Sequence, residues 1–441
     1  MITIVCKPSF LLRVIAPLVL LSLTSLSTLA SNTTAIIADQ IIDGLSKSVR
    51  SENVVLVEDT KIKEFTTIDK IPANATIINL RGATLLPGLI DSHAHPLISG
   101  DDYQNLHLQQ SSAYKALKAY KGMQRLLGAG WTTLRVAGDA DVFYGNQDIK
   151  KLIDEGVLDG PRIFGAAHYL SITGGGGDVN YFSPEQSIAA DGLIVDGPDE
   201  IRKAIRTEAK YGSDWVKVLV TGAFMSVGDS PKAVQFSEQE LQAVMDEANR
   251  QGMPVMAHAH ATQGIKMAVR LGARSIEHGT YLDEEAIAMM AKKGTYLVPT
   301  IYVGDYYNDP RNQLREQAIA DDYSRNYRHI FLDLIGKAHR AGVKVVVGVD
   351  LGGYDYDPTV YVRELAVLME AGMTAMEAIK AATSVPAQML EQSNNIGAIQ
   401  AGRKADIIAV IGNPLSDISL LEKVGFVMKD GRVVKNEIGL P

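Results

Sequence analysis

Cysteine is nearly absent from this chain: Cys6 is the only one in 441 residues. One thiol cannot close an internal disulfide, and no cysteine-zinc site can be built from it. Cys6 also lies within a segment that bears the marks of an export signal, so a cysteine nucleophile is excluded as well. Stability must come from a buried core, and any metal must be held by His, Asp, Glu or Lys chemistry. Internal repeats and low-complexity tracts are missing. So is a basic surplus: Asp and Glu number 51 against 43 Lys and Arg, a formal net charge of −8. An acidic chain of this kind argues against nucleic acid as a partner.

Residues 1–30 lack acids altogether. Lys7 and Arg13 make a basic start, an apolar run from Val14 to Ala30 follows, and Thr28-Leu29-Ala30 approximates a small-x-small cleavage site. The run is short for a membrane span. We expect a signal peptide over 1–30, a secreted or periplasmic protein, and no stable membrane span once it is removed. Removal takes two positive charges and leaves −10 on roughly 410 residues. That length suits one large α/β domain and a smaller one.

The two ends of the remainder look alike. Residues 31–87 hold β-rich runs such as Asn53–Glu58 and Ala75–Leu80. Residues 396–441 hold Asp406–Ile411 and Phe426–Val434. They predict a small β-sandwich domain formed by both termini. The middle, 88–395, alternates strand and helix. Strands are expected at Ala83–Ile90, Thr132–Ala137, Arg162–Ala166, Trp215–Val220, Pro254–Ala257, Ser275–Glu277, Thr295–Pro299 and Lys344–Val349. Ser237-x-x-Glu240 and Thr374-x-x-Glu377 read as capping boxes, and Gly252 can close the helix that Ser237 opens. Eight strands alternating with helices predict a (β/α)8 TIM-type barrel of the α/β class. An open doubly wound sheet is the alternative, because alternation alone does not close a barrel.

In a barrel, active-site groups gather at the C-terminal strand ends. The conspicuous polar residues fall there. His93 and His95 follow the first strand, and side chains one residue apart on a strand point the same way, so the pair can hold one divalent metal. Lys217 lies inside an apolar strand, where an ammonium is costly to bury. Burial favours its neutral amine, which can react with carbon dioxide to give an anionic carbamate with two metal-binding oxygens. His258 and His260 share strand parity, and spacing admits either as a ligand. His278 ends the sixth strand and Asp350 the eighth.

The order of Pro87-Gly-Leu-Ile-Asp-Ser-His-Ala-His95, Lys217, His258, Ser275-Ile-Glu-His278 and Asp350 resembles the amidohydrolase superfamily across essentially the whole chain after residue 30. Ile396 to Asp406 looks like that family's return into its β-sandwich. Leu134-Arg-Val-Ala-Gly138, Thr173-Gly-Gly175 and Ala257-His-Ala-His-Ala-Thr262 look like its Xaa-Pro dipeptidase and imidazolonepropionase-related branch. The resemblance implies two divalent metal ions, zinc in most members. His93, His95 and Asp350 would hold one, His258 and His278 the other, with N6-carboxylysine at Lys217 between them and His260 outside the ligand set. It implies amide hydrolysis by a metal-bridged hydroxide, with Asp350 as the catalytic base. The chain departs from some relatives in the loop Gly174–Gly177, where they carry a histidine. His168 is the candidate to replace it. Arg325 and Arg328, in the Tyr- and Arg-rich segment 302–328, are candidates for binding a substrate carboxylate.

The expected function is therefore a metal-dependent dipeptidase acting on Xaa-Pro or related dipeptides. A non-peptide or cyclic-amide amidohydrolase is the alternative, and a non-catalytic metal- or ligand-binding barrel is a third reading. The partner is a small-molecule or dipeptide substrate, and a homo-oligomer is compatible with the sequence. If residues 1–30 are an export signal, intact-mass measurement on secreted protein finds an N-terminus near Ser31. Met1 retained on soluble cytoplasmic protein refutes it.

Overall fold

In the computed structural model, which describes residues 33–98, 103–308, 326–352 and 357–438, the apolar run Ala83–Ile90 does not form one strand. It is divided between two sheets. The chain begins with β1 (Thr33–Ile41), β2 (Val54–Glu58), β3 (Lys61–Thr66) and a long β4 (Thr76–Pro87). After one residue it resumes as β5 (Leu89–Ala94). Gly88 makes the transfer. Its N–H is given to the Asp406 carbonyl at 2.9 Å, while the next N–H, of Leu89, goes to Gly130 at 2.9 Å. Pro87 has no N–H to hold a ladder, so pairing is interrupted there. A Cβ on Gly88 would lie 2.1 Å from the Thr132 hydroxyl, so only glycine passes. The proposed export signal over 1–30 lies outside the described residues.

The remaining strands are β6 (Trp131–Ala137), β7 (Arg162–Ala166), β8 (Tyr169–Ser171), β9 (Leu193–Ile194), β10 (Val216–Leu219), β11 (Val255–Ala259), β12 (Ser275–His278), β13 (Tyr296–Val298), β14 (Ile407–Ile411), β15 (Phe426–Lys429) and β16 (Arg432–Asn436). The two chain ends share one seven-stranded sheet in the order β16-β15-β14-β4-β1-β2-β3. Residues 403–405 exchange backbone hydrogen bonds with Thr60 and Ile62, which curls the sheet round a core that includes Ile36, Val55, Leu85, Ile407 and Phe426.

The middle strands are parallel. One set runs β5-β6-β7 and another β13-β12-β11-β10-β8-β9. Backbone hydrogen bonds join them. Asp214 and Trp215, at the start of β10, both donate to the Gly165 carbonyl in β7, at 3.0 and 3.2 Å. Across the other gap runs the segment 344–350. Leu297 in β13 donates to Lys344, Val346 donates back to Leu297, and on the far side Ser92 in β5 donates to Val347 at 3.0 Å. Asp350 then donates to His93 at 2.9 Å. The circle has eight positions, with β7 and β8 together supplying the third. This is a TIM-type barrel.

Helices between the strands follow their sequence signals. Ser237 and Glu240 form both halves of a capping box at the start of Glu238–Gln251, and Gly252 ends that helix with φ of 70°, in the left-handed region. Thr374 and Glu377 do the same for Ala375–Ala381. No helix among the described residues is long and apolar enough to cross a membrane.

Gly348 fixes how closely the last barrel segment approaches the first. A Cβ there would lie 2.3 Å from Val298 Cγ1 and 2.8 Å from His93 Cβ. Gly348→Ala should cost about 1–3 kcal/mol, the usual penalty of overpacking, and shift His93. Thermal melting together with metal content checks this; a variant as stable and as metal-loaded as the parent refutes the packing argument.

Candidate metal centre and active site

The barrel mouth holds a cavity of about 210 Å3 whose wall includes His93, His95, Lys217, His258, His278 and Asp350. His93 is carried by β5 and His95 follows it directly. Lys217 is in β10, His258 in β11, His278 ends β12, and Asp350 ends the closing segment. Nε2 of His93 lies 3.3 Å and Nε2 of His95 3.1 Å from Asp350 Oδ1, and His278 Nδ1 lies 3.8 Å from Oδ2. All six expected ligands thus meet at one place. His260 meets them too: one nitrogen each of His258, His260 and His278 lie within 4.8 Å of one another.

Each ring is aimed by a hydrogen-bond partner. His93 Nδ1 pairs with Glu277 Oε2 at 2.7 Å, and His95 Nδ1 donates to the Gly138 carbonyl at 2.5 Å, so both Nε2 atoms are free to face Asp350. His258 Nε2 donates to the Gly222 carbonyl at 3.1 Å, which leaves Nδ1 as its acceptor. His278 Nδ1 lies 2.7 Å from the Thr300 hydroxyl, and His260 Nδ1 2.8 Å from that of Thr280. His278, Thr300 and Asp350 have φ of 68°, 49° and 60°. Left-handed non-glycine residues at three successive strand ends cost about 1–3 kcal/mol each, which the surrounding barrel must offset.

Burial sets the protonation states. It pushes the His93 imidazole down to about 4 and that of His258 to about 3, helped by the positive charge of Lys217. His260 and His278 also fall well below their ordinary value, chiefly through burial. At neutral pH these rings are uncharged and keep a lone pair for a metal. His95 differs: burial opposes its charge, but the hydrogen bond and charge of Asp350 raise it. Burial likewise opposes the Asp350 carboxylate, yet His93, His95 and Lys217 hold it below the usual range.

Lys217 is 2% exposed, and burial brings its ammonium down to about 8. It has no hydrogen bond or ion pair with any described residue. A buried amine without a partner, beside neutral imidazoles and a carboxylate, is a donor set suited to divalent metal.

Behind the ligands lies a network that the sequence reading did not assign a role. Arg135, fully buried in β6, donates to the Ser92 carbonyl at 2.6 Å, to Ser275 Oγ at 2.9 Å and to Glu277 Oε2 at 2.7 Å. Its guanidinium lies over the Trp215 ring at 4.9 Å. Ser275 donates to the other Glu277 oxygen at 2.5 Å. Burial opposes the charge on Glu277, but Arg135 and His93 hold its carboxyl well below the ordinary range. The signal was available: Arg135 is a charge inside an apolar strand, the same anomaly that singled out Lys217.

Two of the three expected substrate contacts, His168 and Arg328, do not line this cavity. His168 is buried with Nδ1 on Glu208 Oε1 at 2.8 Å and its ring against Tyr144, so it is held away from the wall. Arg328 is clamped by both oxygens of Asp305, at 2.5 and 2.8 Å, and by Glu370 at 2.9 Å. Its Nε and Nη2 are held by these acids outside the cavity. Arg325 lies outside the described residues. The wall opposite the ligands is instead formed by Tyr103, Tyr169, Phe224, Met225, Val303 and Phe331.

A TIM-type barrel with this histidine-rich cluster at its mouth fits a hydrolase, and the chain belongs to the Amidohydrolase family, whose model matches residues 84–434. It is 32% identical over 444 residues to the ochratoxinase of Aspergillus niger, a match that covers 93% of this chain and 88% of that one. A Xaa-Pro dipeptidase solved with methionine in its active site superposes with a TM-score of 0.84 at 33% identity, covering 92% of this chain and all of that one. A prolidase in complex with N-methylphosphonate-L-proline gives 0.82 at 28% identity over 92% of this chain.

Glu277→Gln should remove the partner of Arg135 and of His93 together. An uncompensated buried charge costs about 3–5 kcal/mol. Because the folded carboxyl lies below its unfolded value, its contribution is present above about pH 4.5 and is lost as pH falls towards the folded value. Melting curves from pH 3 to 7 should therefore converge for the two proteins at the acid end and separate at the neutral end. Parallel curves would show that Glu277 carries no such linkage.

Proposed function

We propose that this protein is a binuclear metal-dependent dipeptidase, cleaving Xaa-Pro or related dipeptides after export from the cytoplasm. One observation carries the reading: neutral imidazoles, a carboxylate and an unpaired buried amine converge on the floor of an apolar-walled cavity. The relatives named for dipeptidase and prolidase activity support the substrate class. In this reading His93, His95 and Asp350 hold one ion and His258 and His278 the other, zinc in both places. Carbon dioxide adding to the neutral Lys217 amine, with loss of a proton, would give a carbamate whose two anionic oxygens could hold metal alongside the histidines.

When bound, the metals polarise the amide carbonyl and lower the pKa of water. The chain supplies the rest. Asp350 accepts the proton of the attacking water and delivers it to the leaving nitrogen. Glu277 keeps the His93 ring in one tautomer, and Gly138 does so for His95. Phe224, Met225 and Phe331 exclude water and hold the apolar part of the substrate. The same apolar wall, with the likeness to an ochratoxinase, favours a second reading, an amidase acting on aromatic non-peptide amides.

Metal-loaded protein assayed on a panel of dipeptides and N-acyl aromatic amides separates the two. Hydrolysis confined to the amides overturns the dipeptidase reading. Lys217→Ala should lower bound metal and activity, with short carboxylic acids restoring part of the activity. Full metal and full turnover in that variant would make Lys217 structural. Asp350→Asn keeps the shape and one acceptor oxygen but not the basicity. Turnover should fall at least about 100-fold, the lower range for general acid–base catalysis, while melting and much of the metal are kept. Near-normal hydrolysis by metal-loaded Asp350→Asn refutes the base assignment.

A further inference from the structure

Gly176 is the one residue of the loop Gly174–Gly177 that lines the cavity. Three of the four glycines there are dictated by the backbone. Gly174 has φ of 74°. A Cβ on Gly175 would lie 2.5 Å from Ser171 Oγ, and one on Gly177 would lie 2.9 Å from Ser171 Cβ and from the Tyr169 ring. Gly176 is under no such demand. Its backbone is outside the left-handed region, and a Cβ there would meet nothing closer than Asp229 Oδ2 at 3.2 Å, Leu219 Cδ1 at 3.4 Å and Ala223 Cβ at 3.5 Å. The fold admits a side chain at 176, and the sequence leaves it out.

The loop is tied down along its length. Ser226 Oγ donates to the Gly176 carbonyl at 2.7 Å, Gly177 donates to Ser171 Oγ at 3.0 Å, Gly174 to Asp178 Oδ2 at 2.9 Å, and Asn180 Nδ2 to the Gly175 carbonyl at 3.2 Å. The room beside Gly176 is therefore a built feature of the wall. It is also apolar. Leu219 and Ala223 line the cavity there, while Asp229 does not. Both Asp229 oxygens are engaged, Oδ2 by the Ala223 N–H at 2.9 Å and Oδ1 by Ser230 at 2.7 Å and Gln235 Nε2 at 2.8 Å. The room lies near the chemistry as well. Side chains alternate along a strand, so Leu219 faces the same way as Lys217 on β10. Two residues of strand set it about 7 Å further towards the mouth.

We propose that Gly176 determines specificity: by carrying no side chain it opens an apolar subsite, bounded by Leu219 and Ala223, for a large apolar side chain beside the scissile amide. This rests on the dipeptidase reading and narrows it to dipeptides whose Xaa is large and apolar. The proline ring has one size, so Xaa is the substrate group that can use a space set by a single residue.

The test is the ratio of kcat/KM for Leu-Pro over Ala-Pro on metal-loaded protein. In the parent, Leu-Pro should be favoured at least about tenfold, the lower end of the discrimination an apolar pocket gives for one methylene. Gly176→Val fills the space from the loop. Ala223→Val fills it from the other side and serves if the loop variant folds poorly. Each should remove most of the preference, chiefly through the KM of Leu-Pro, as expected for lost binding that is equal in ground and transition states. Calorimetric binding of L-leucine and L-alanine, the Xaa products, reads the same space without turnover. Melting temperatures near that of the parent show that the variants are folded. A parent with no preference for leucine overturns the subsite, as does an equal loss for both substrates in the variants. Protein that cleaves no dipeptide, yet binds leucine over alanine and loses that preference on Gly176→Val, keeps the subsite and loses the dipeptidase reading. Protein that cleaves dipeptides with the ratio unmoved in both variants loses the subsite alone.

Discussion

The buried charge pair of Arg135 and Glu277 is the constraint on which the rest of the centre depends. Two ions have been taken out of water inside the barrel, and a mutual attraction repays that only when every remaining donor and acceptor is met. Here most are. Arg135 reaches the Ser92 carbonyl and Ser275, and Glu277 takes Ser275 and His93. The pair therefore ties together β5, β6 and β12, three strands that are not all neighbours. Its output is the orientation of one imidazole. The energy of a deeply buried network is thus converted into the placement of a single nitrogen lone pair.

The remaining groups follow from that placement. Asp350 can face His93 and His95 only because the segment 344–350 lies close against β5, and the lack of a side chain at Gly348 permits that closeness. The left-handed backbone at His278, Thr300 and Asp350 turns successive strand ends inward. A centre of this kind is rigid because its ligands belong to different strands of one closed hydrogen-bonded ring.

Much of this was legible in the sequence. Apolar runs located most of the barrel strands, and His93, His258, His278 and Asp350 stand at or near the ends of theirs; the capping boxes at Ser237 and Thr374 lie at the helix starts where they were expected. Other features depend on tertiary neighbours. Nothing local in Ala83–Ile90 shows that Gly88 passes the chain between sheets, because the obstacle is Thr132. Arg328 looked available for a carboxylate, yet Asp305 and Glu370, 23 residues before it and 42 after it, already occupy its donors. His168 looked close to the glycine-rich loop but is turned away by Glu208.

The shared sheet has a consequence for the order of assembly. β4 is seated between β1 and β14, and its last residue stands two positions before β5. The strand that bears His93 is therefore anchored on one side by residues 407–411, more than 300 residues further on. During synthesis the barrel strands emerge before that anchor exists. Contacts of such long sequence separation form slowly and late. His93 and His95 thus gain their final support only once residues 407–411 have been made. A chain cut short before β14 has most of the barrel sequence but no firm seat for the strand that bears His93.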